Sequence, residues 1–463
     1  MSAETKLWGG EPYFGLGYEF DPTWFLTPAQ RELEREIIDA CQRVIRPLAI
    51  EADVTREYPR ASVDELGRLR LLAMIAPETY GCRAESHVGV YMATEAIARY
   101  GCPSTAVIFM MHLVAVGGLV FRAHGNDEIE SLLRRMDAER LVGTASYTDP
   151  ETGGHFWYPK TSGATRVAEG WHVRKRAAFT TSAGHAAWYL TQTTSPDFAG
   201  DYSDLSVFLL YPEDVQATTG VWDAMGMRAN SSGPVEVDAV IPESRIVGWP
   251  GDGARSNDEA IDPLAFLMYA GLYNGIAMAA LDIARRHVLR TSHAQYERRI
   301  ADYATTQDAY GEALCEAQAS RLHAYGMARA MDEATNGGDW GFYATEPDAT
   351  PRMQFTTWGL EAKVLAAAAA GRISDQMLHL CGGRGYARAG EIERIARDAK
   401  AGWVMAPSNE VSRQIVGRWA LLGAESVDWW NQHVDERLLR SELRKLDPAA
   451  RRALVETMDK EER

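Results

Sequence analysis

Cysteine is scarce in this sequence, and it follows neither a metal-binding nor a disulfide pattern. There are five cysteines among 463 residues, with no CxxC pair and no partnering histidines; they are Cys41, Cys82, Cys102, Cys315 and Cys381. An odd number at low density argues against a disulfide framework and against a zinc site of the usual spacing. We therefore expect no metal centre.

Positive charge is also in deficit. The chain has 64 acidic and 48 basic residues, a formal net charge of −16, and no basic run. Proteins that bind nucleic acid or anionic membranes need the opposite balance. We expect neither partner.

The sequence has no uninterrupted apolar run that is long enough to span a bilayer. The stretch 106–121 is short and contains His112, and the stretch 263–284 is interrupted by Asn274. The first residues lack the charged-then-apolar pattern of a secretion signal. These observations predict a cytoplasmic protein that does not enter the membrane.

Common nucleotide and hydrolase motifs are missing as well. There is no GxxxxGK[ST], no GxGxxG after a strand, no HExxH and no GxSxG. P-loop and Rossmann binding therefore have no support, and a bound dinucleotide would need another architecture.

The sequence pattern changes twice along the chain, from helical to β-type and back to helical. Helical periodicity begins after Thr27–Pro28, a cap followed by a first-turn proline. Between about 141 and 250 short β-type runs replace it, and we predict strands at 171–173, 188–193, 206–211 and 235–240. Long Ala-rich helical patterns then return. The predicted fold is α+β: an N-terminal helical domain (1–140), a small β domain (141–250), a C-terminal four-helix bundle (251–425) and an appended helix (426–463).

Three distant stretches carry a family resemblance. Residues 148–154 read TDPETGG, residues 222–228 read WDAMGMR with SSGPV at 231–235, and residues 381–386 read CGGRGY with RDAK at 397–400. In order and spacing they resemble the T-E-P loop, the W-x-x-x-G-M-R segment and the G-G-x-G-Y…R-D-A-K pattern of the acyl-CoA dehydrogenase superfamily of flavoproteins. The resemblance spans about 26–422.

The resemblance implies FAD, with FMN or a reduced flavin as the alternative. By position, the flavin contacts would be Thr148, Gly153, Gly154, Phe179, Thr181, Ser182, His379, Gly382, Gly383 and Ser408. The Gly382–Gly383 pair would approach the FAD of a neighbouring subunit, which implies a homodimer or homotetramer, because glycine admits close backbone approach. The structural alternatives are a helix-ending turn for the glycines and a core aromatic for Phe179.

The family's catalytic glutamate is missing. An ungapped count places Ala406 at its usual position, and Ala265 stands near the position that other members use. Alanine accepts no proton. Three replacements come into question, each with a structural alternative: Glu410 as a first-turn helix carboxylate, Asp262 as a helix cap before Pro263, and His112 as a core histidine.

Two reactions follow from the resemblance. The first is FAD-dependent oxidation (desaturation) of an acyl thioester, linked to CoA or a carrier protein, or of a related small acid, with hydride transfer to flavin N5 and a relocated base. The alternative is a flavin monooxygenase that hydroxylates nitrogen, sulfur or carbon through hydroperoxyflavin. Either reaction would use a flavin reductase or an electron-transfer partner. The third hypothesis is a flavin-bound structural or nucleic-acid-binding relative with vestigial activity, and the charge of −16 with no basic run argues against nucleic acid.

Overall fold

The computed structural model describes residues 22–150, 162–195, 204–335, 339–340, 352–388, 390–423, 439–440 and 442–461. Gly153 and Gly154 lie outside these ranges, so their predicted flavin contacts stay predictions. The chain forms two compact units, Met1–Ser412 and Arg413–Arg463. The predicted domain boundaries stay predictions.

The N-terminal part is helical, as the periodicity indicates. Its helices are α1 (Pro28–Ala40), α2 (Arg46–Thr55), α3 (Arg60–Arg68), α4 (His87–Ala96), α5 (Pro103–Phe121) and α6 (Asp127–Arg135), with π-helical turns at Cys41–Ile45 and Ile97–Gly101. Helix α1 starts where predicted, because Thr27 and Gln30 form a capping box and Pro28 occupies the first position. Its buried face includes Leu33 and Ile37.

An eight-stranded sheet follows. Its strands are β1 (Gly143–Ser146), β2 (Gly163–Val167), β3 (Gly170–Thr180), β4 (Trp188–Thr194), β5 (Leu205–Leu210), β6 (Val215–Ala217), β7 (Gly233–Ile241) and β8 (Ile246–Val247). The order is β6-β7-β3-β2-β4-β5-β8, and β1 pairs with β4 in parallel. The four predicted strands are confirmed, and β4 and β5 are buried throughout. Burial on both faces fits the mostly apolar sequence of β5, whereas β4 also buries the polar residues 191–194.

The C-terminal part is again helical. Its helices are α7 (Gly253–Ser256), α8 (Asp262–Arg290), α9 (Ala304–Ala334), α10 (Thr356–Leu380), α11 (Gly382–Gly385), α12 (Glu391–Ala399), α13 (Ala401–Val404), α14 (Asn409–Leu422) and α15 (Pro448–Glu461). A π-helical turn, Asn257–Ile261, leads directly into α8. Helix α8 packs against α4, α9 and α10.

Two helical segments are long and apolar enough to cross a membrane by length and composition, Pro103–Phe121 and Gly253–Arg290. In their most apolar windows, 94% and 100% of the residues are buried inside the protein. Both are core helices in this fold, which accounts for their apolar composition without a bilayer.

The RDAK motif fastens the bundle to the β domain. The Asp398 carboxylate accepts the backbone N–H of Met227 at 2.6 Å, and the Arg397 guanidinium donates to the carbonyl of Met225 at 3.0 Å. Arg397 also pairs with both carboxylate oxygens of Asp53. We call these contacts the interdomain clasp. Because the clasp joins the β domain to the bundle, it sets their relative position.

Candidate functional site

Thr148 and Phe179 lie side by side at one edge of the sheet. The Thr148 hydroxyl donates to the Phe179 carbonyl at 3.0 Å and accepts the Phe179 N–H at 3.3 Å. The Phe179 ring is 61% exposed and meets the Trp222 ring edge-on. An exposed aromatic beside a hydroxyl fits what a flavin ring needs, a platform and a hydrogen-bonding neighbour.

Thr181 and Ser182 form the turn after this edge. The Thr181 hydroxyl pairs with Ser232 at 3.1 Å, and the Ser182 hydroxyl pairs with the Tyr58 hydroxyl at 3.1 Å. Ser182 has a left-handed φ of 63°. Both side chains are buried, and their hydroxyl groups form hydrogen bonds within the protein, so they shape the turn. Their contact with a flavin stays a prediction.

A buried lysine lies beneath the Thr148 loop. Lys175 on β3 donates to the Tyr147 carbonyl at 3.3 Å. Burial lowers the pKa of Lys175 to about 8, although the nearby Asp149 carboxylate opposes this effect. The lysine therefore braces the loop that presents Thr148.

The segment that carries Ala406 is held from several sides. The Tyr269 hydroxyl donates to the Ala406 carbonyl at 3.0 Å, and Lys363 donates to the Pro407 carbonyl and to Asn409 Oδ1, both at 2.8 Å. Tyr269 is four residues after Ala265 on α8, which places the two on one helix face. The Ala406 segment thus contacts the helix that carries Ala265, and neither of the two positions predicted for a base carries a carboxylate.

Asp262 lies one turn before Ala265, at the first position of α8. Its side chain is 1% exposed, and neither carboxylate oxygen has a hydrogen-bond partner within the described part of the chain. Burial raises the pKa of Asp262 well above its ordinary value, and the like charge of Asp258 adds to this rise. It is not a helix cap, because the π-helical turn continues the helix upstream and the cap residue is Ile261.

Sequence reasoning missed Tyr147. Its hydroxyl is buried, and no partner for it occurs among the described residues. Burial raises the pKa of Tyr147, and the charge of Asp262 contributes to the rise, which places the two side chains near each other. The signal in the sequence was its place directly before Thr148. The charge of Asp262 thus acts on the residue before Thr148, and Asp262 is one helical turn from Ala265.

The other two base candidates are placed differently. Glu410 is exposed in the first turn of α14. His112 is fully buried: its Nε2 donates to the Leu72 carbonyl at 2.8 Å, and its Nδ1 accepts the Gly143 N–H at 2.9 Å. Burial lowers the pKa of His112 to about 4. Because both ring nitrogens bind backbone groups, the geometry favours a structural role for His112.

The remaining predicted flavin contacts occupy two places. His379, Gly382 and Gly383 are exposed at the end of α10 and in α11, and a Cβ at either glycine would meet nothing within 4 Å. Ser408 caps α14 by accepting the Val411 N–H at 3.3 Å. The surface around the glycine pair is therefore open to a group from outside the chain.

Comparisons with known proteins agree with this architecture. Family models described as acyl-CoA dehydrogenase, N-terminal domain, and acyl-CoA dehydrogenase, C-terminal domain, match residues 27–136 and 252–421. The mitochondrial short-chain specific acyl-CoA dehydrogenase of Homo sapiens is 26% identical over 380 residues, which cover 82% of this chain and 86% of that relative.

Two solved structures show the same fold. A glutaryl-coenzyme A dehydrogenase in complex with glutaryl-CoA superposes with a TM-score of 0.76 at 23% identity, over 86% of this chain and 96% of that one. The dibenzothiophene monooxygenase of Paenibacillus sp. A11-2 superposes with a TM-score of 0.71 at 21% identity, over 84% and 97%.

The fold and the matches define a flavin-dependent oxidoreductase. The chain belongs to the acyl-CoA dehydrogenase superfamily, in which the cofactor is FAD. The Thr148–Phe179 edge and the open Gly382–Gly383 turn fit that cofactor. The resemblance predicts a base at Ala406 or near Ala265, and neither residue carries a carboxylate.

Proposed function

We propose that this protein is an FAD-dependent dehydrogenase that oxidises an acyl thioester or a related small acid, with Asp262 as the proton acceptor. The observation that carries the proposal is the Asp262 carboxylate: it is buried, it has no hydrogen-bond partner in the described ranges, and it lies one turn from Ala265. Strongly perturbed carboxyl groups of this kind are typical of functional sites.

The environment of Asp262 suits proton abstraction. Burial disfavours its charged form, so the ionised carboxylate is a stronger base than an exposed aspartate. A proton on carbon next to a carbonyl is weakly acidic, and a base of raised pKa matches it better. Neither Ala265 nor Ala406 can take that proton.

Other residues of this chain would hold the reactants in place. Thr148 and Phe179 would contact the flavin ring, and the Gly382–Gly383 turn would contact the FAD of a neighbouring subunit. When bound, FAD supplies the hydride acceptor. The Tyr269 and Lys363 bonds hold the Ala406 segment in place, and a fixed segment beside the reacting atoms would help to exclude water.

The test is anaerobic reduction of the FAD-loaded protein by a panel of acyl-CoAs, followed by the loss of flavin absorbance. Asp262→Asn keeps the size of the side chain and removes the base, so we expect reduction to slow by about 10²–10⁴-fold with FAD still bound. Asp308→Asn, at an exposed position on α9, is the matched control. Reduction of Asp262→Asn at the wild-type rate would show that Asp262 is not the base.

A flavin monooxygenase is the second candidate, and one observation favours it. Both positions that relatives use for a base hold alanine, and a hydroxylating enzyme needs no carboxylate there. The fold of the Paenibacillus monooxygenase is compatible with this candidate. Turnover under ¹⁸O₂ with reduced flavin separates the two reactions: ¹⁸O in the product supports the monooxygenase, and its absence during turnover excludes it.

A further inference from the structure

The start of α8 carries more buried polar groups than the proposed proton transfer uses. Five oxygen atoms in or beside the π-helical turn are buried and have no hydrogen-bond partner within the described ranges: Ser256 Oγ, Asn257 Oδ1, Glu259 Oε1 and both carboxylate oxygens of Asp262. A buried polar atom without a partner is rare in native proteins, and its penalty is comparable to a lost hydrogen bond. Such a cluster indicates a ligand of matching polarity.

Asn257 is the member that lies next to the proposed base. The backbone N–H of Asp262 donates to the carbonyl of Asn257, because the π-helical turn pairs residues five apart. This pairing stacks the two side chains on one face of the helix. A group that reaches beyond Asp262 along this face meets Asn257.

The amide of Asn257 is fixed in one orientation. Its Nδ2 donates to Gln192 Oε1 of β4 at 2.9 Å, and both side chains are fully buried. The bond engages the amino group of Asn257 and leaves its Oδ1 as an acceptor. A carbonyl oxygen can only accept, so the missing partner is a hydrogen-bond donor.

The charged residues around Asn257 Oδ1 also favour a hydrogen-bond donor. Asp258 and Asp262 are close enough for the charge of Asp258 to raise the pKa of Asp262. The nearby Glu259 carboxylate is engaged through Oε2, which accepts the backbone N–H of Arg352 at 3.3 Å. Arg352 directs its side chain away, towards His87 and over the Trp340 ring. Although Arg255 and Arg352 oppose the rise in the pKa of Glu259, the acidic residues of this turn favour a donor that is positively charged or strongly polarised.

We propose that the acyl part of the substrate carries a hydrogen-bond donor, an ammonium or a hydroxyl group, which binds Asn257 Oδ1 one helical turn beyond the proposed base. The inference rests on the proposed function, because Asp262 defines where the reacting carbon lies. It distinguishes this site from one that accommodates a plain hydrocarbon chain, for which an unpaired amide oxygen is unfavourable.

The experiment measures binding rather than turnover. Acyl-CoAs of three to five acyl carbons are prepared as sets that differ only at the chain end, which is methyl, hydroxyl or ammonium. Dissociation constants are measured by anaerobic calorimetry on the FAD-loaded protein. We expect an ammonium or hydroxyl member of at least one length to bind about tenfold or more tightly than its methyl counterpart.

Two substitutions test whether Asn257 is responsible. Asn257→Leu should abolish the preference, and Asn257→Asp should increase the preference for the ammonium member, which a merely misfolded variant would not do. Glu213→Gln, exposed on the β domain, is the control. Equal or tighter binding of the methyl members at every length, or a preference unchanged by both Asn257 variants, overturns the inference and leaves water as the partner of this oxygen.

The outcome is separable from the proposed function. Flavin reduction by methyl-terminated thioesters without any donor preference would sustain the dehydrogenase and overturn this inference. A donor preference without flavin reduction by any thioester would sustain the binding site and overturn the dehydrogenase.

Discussion

Gly226 lies between Met225 and Met227, two residues of the interdomain clasp, and packs closely against the backbone of α12. The substitution Gly226→Ala therefore tests what the clasp does. A Cβ at this position would lie 2.3 Å from the Arg397 carbonyl oxygen and 2.7 Å from the Asp398 nitrogen. These are backbone atoms and cannot rotate away. The methyl group must therefore push the β domain and α12 apart.

The magnitude follows from the bonds that this movement breaks. The Met227 N–H to Asp398 bond of 2.6 Å and the Arg397 to Met225 bond of 3.0 Å both involve a charged partner. Hydrogen bonds to charged groups contribute about 1.5–3 kcal/mol each, so we expect a loss of about 3–6 kcal/mol. Affinity for FAD should fall too, because the clasp aligns the Thr148 edge with the bundle.

The assay is denaturant unfolding of the apo protein together with fluorescence titration of FAD. Gly383→Ala is the matched control for the unfolding measurement alone, since a Cβ there meets nothing within 4 Å and α11 accepts alanine. It should stay within about 0.5 kcal/mol of wild type. A Gly226→Ala variant as stable as Gly383→Ala would refute the clasp as a determinant of domain alignment.

Three further predictions concern single side chains. Because the folded-state pKa of Asp262 is raised, its contribution to stability is present at low pH and is lost as pH rises from the ordinary carboxyl range through the raised value. Asp262→Asn should remove this loss of stability. If urea unfolding at pH 5 and pH 8 gives both proteins the same pH dependence, this prediction is wrong. Gly383→Leu should leave apo stability unchanged and weaken FAD binding at least tenfold if the turn faces a neighbour's cofactor, and an unchanged dissociation constant would refute that contact. His112→Leu leaves two buried backbone groups without partners, so we expect the protein to be about 2–5 kcal/mol less stable. The rate of flavin reduction per folded molecule should stay unchanged. A large fall in that rate would show that His112 is catalytic.

Motifs that depend on local chemistry were predictable. The Thr27–Pro28 start of α1 follows from side-chain capping, and strand β4 follows from its β-branched and aromatic residues. Strands β1, β2, β6 and β8 were not predicted, because they have two to five residues and are too short to show alternation. Their pairing is set by neighbouring strands rather than by their own pattern.

The site was predictable only in part, for a physical reason. Asp262 before Pro263 has the sequence pattern of a helix cap, and only the preceding π-helical turn shows that the helix has already begun. That turn depends on packing against α5, where Gly117 admits the Ala260 carbonyl and the Leu264 side chain. Tyr147 is marked in the sequence only by its place before Thr148, because its proximity to Asp262, 115 positions along the chain, depends on the fold.

The loss of the usual glutamate and the polarity at the start of α8 have a common explanation. A site that binds a plain acyl chain would leave the amide oxygen beside its base without a hydrogen-bond partner, which is unfavourable. A carboxylate at position 406 could itself accept the proton, so Asp262 would not be needed as the base. With alanine at 265 and 406, the start of α8 still carries buried acceptors without partners in the described ranges, among them Asn257 Oδ1 and the Asp262 carboxylate. If Asp262 is the base and Asn257 recognises the substrate, as proposed, one helical element would position both atoms. Moving the base to this turn would then also change which substrate the enzyme selects.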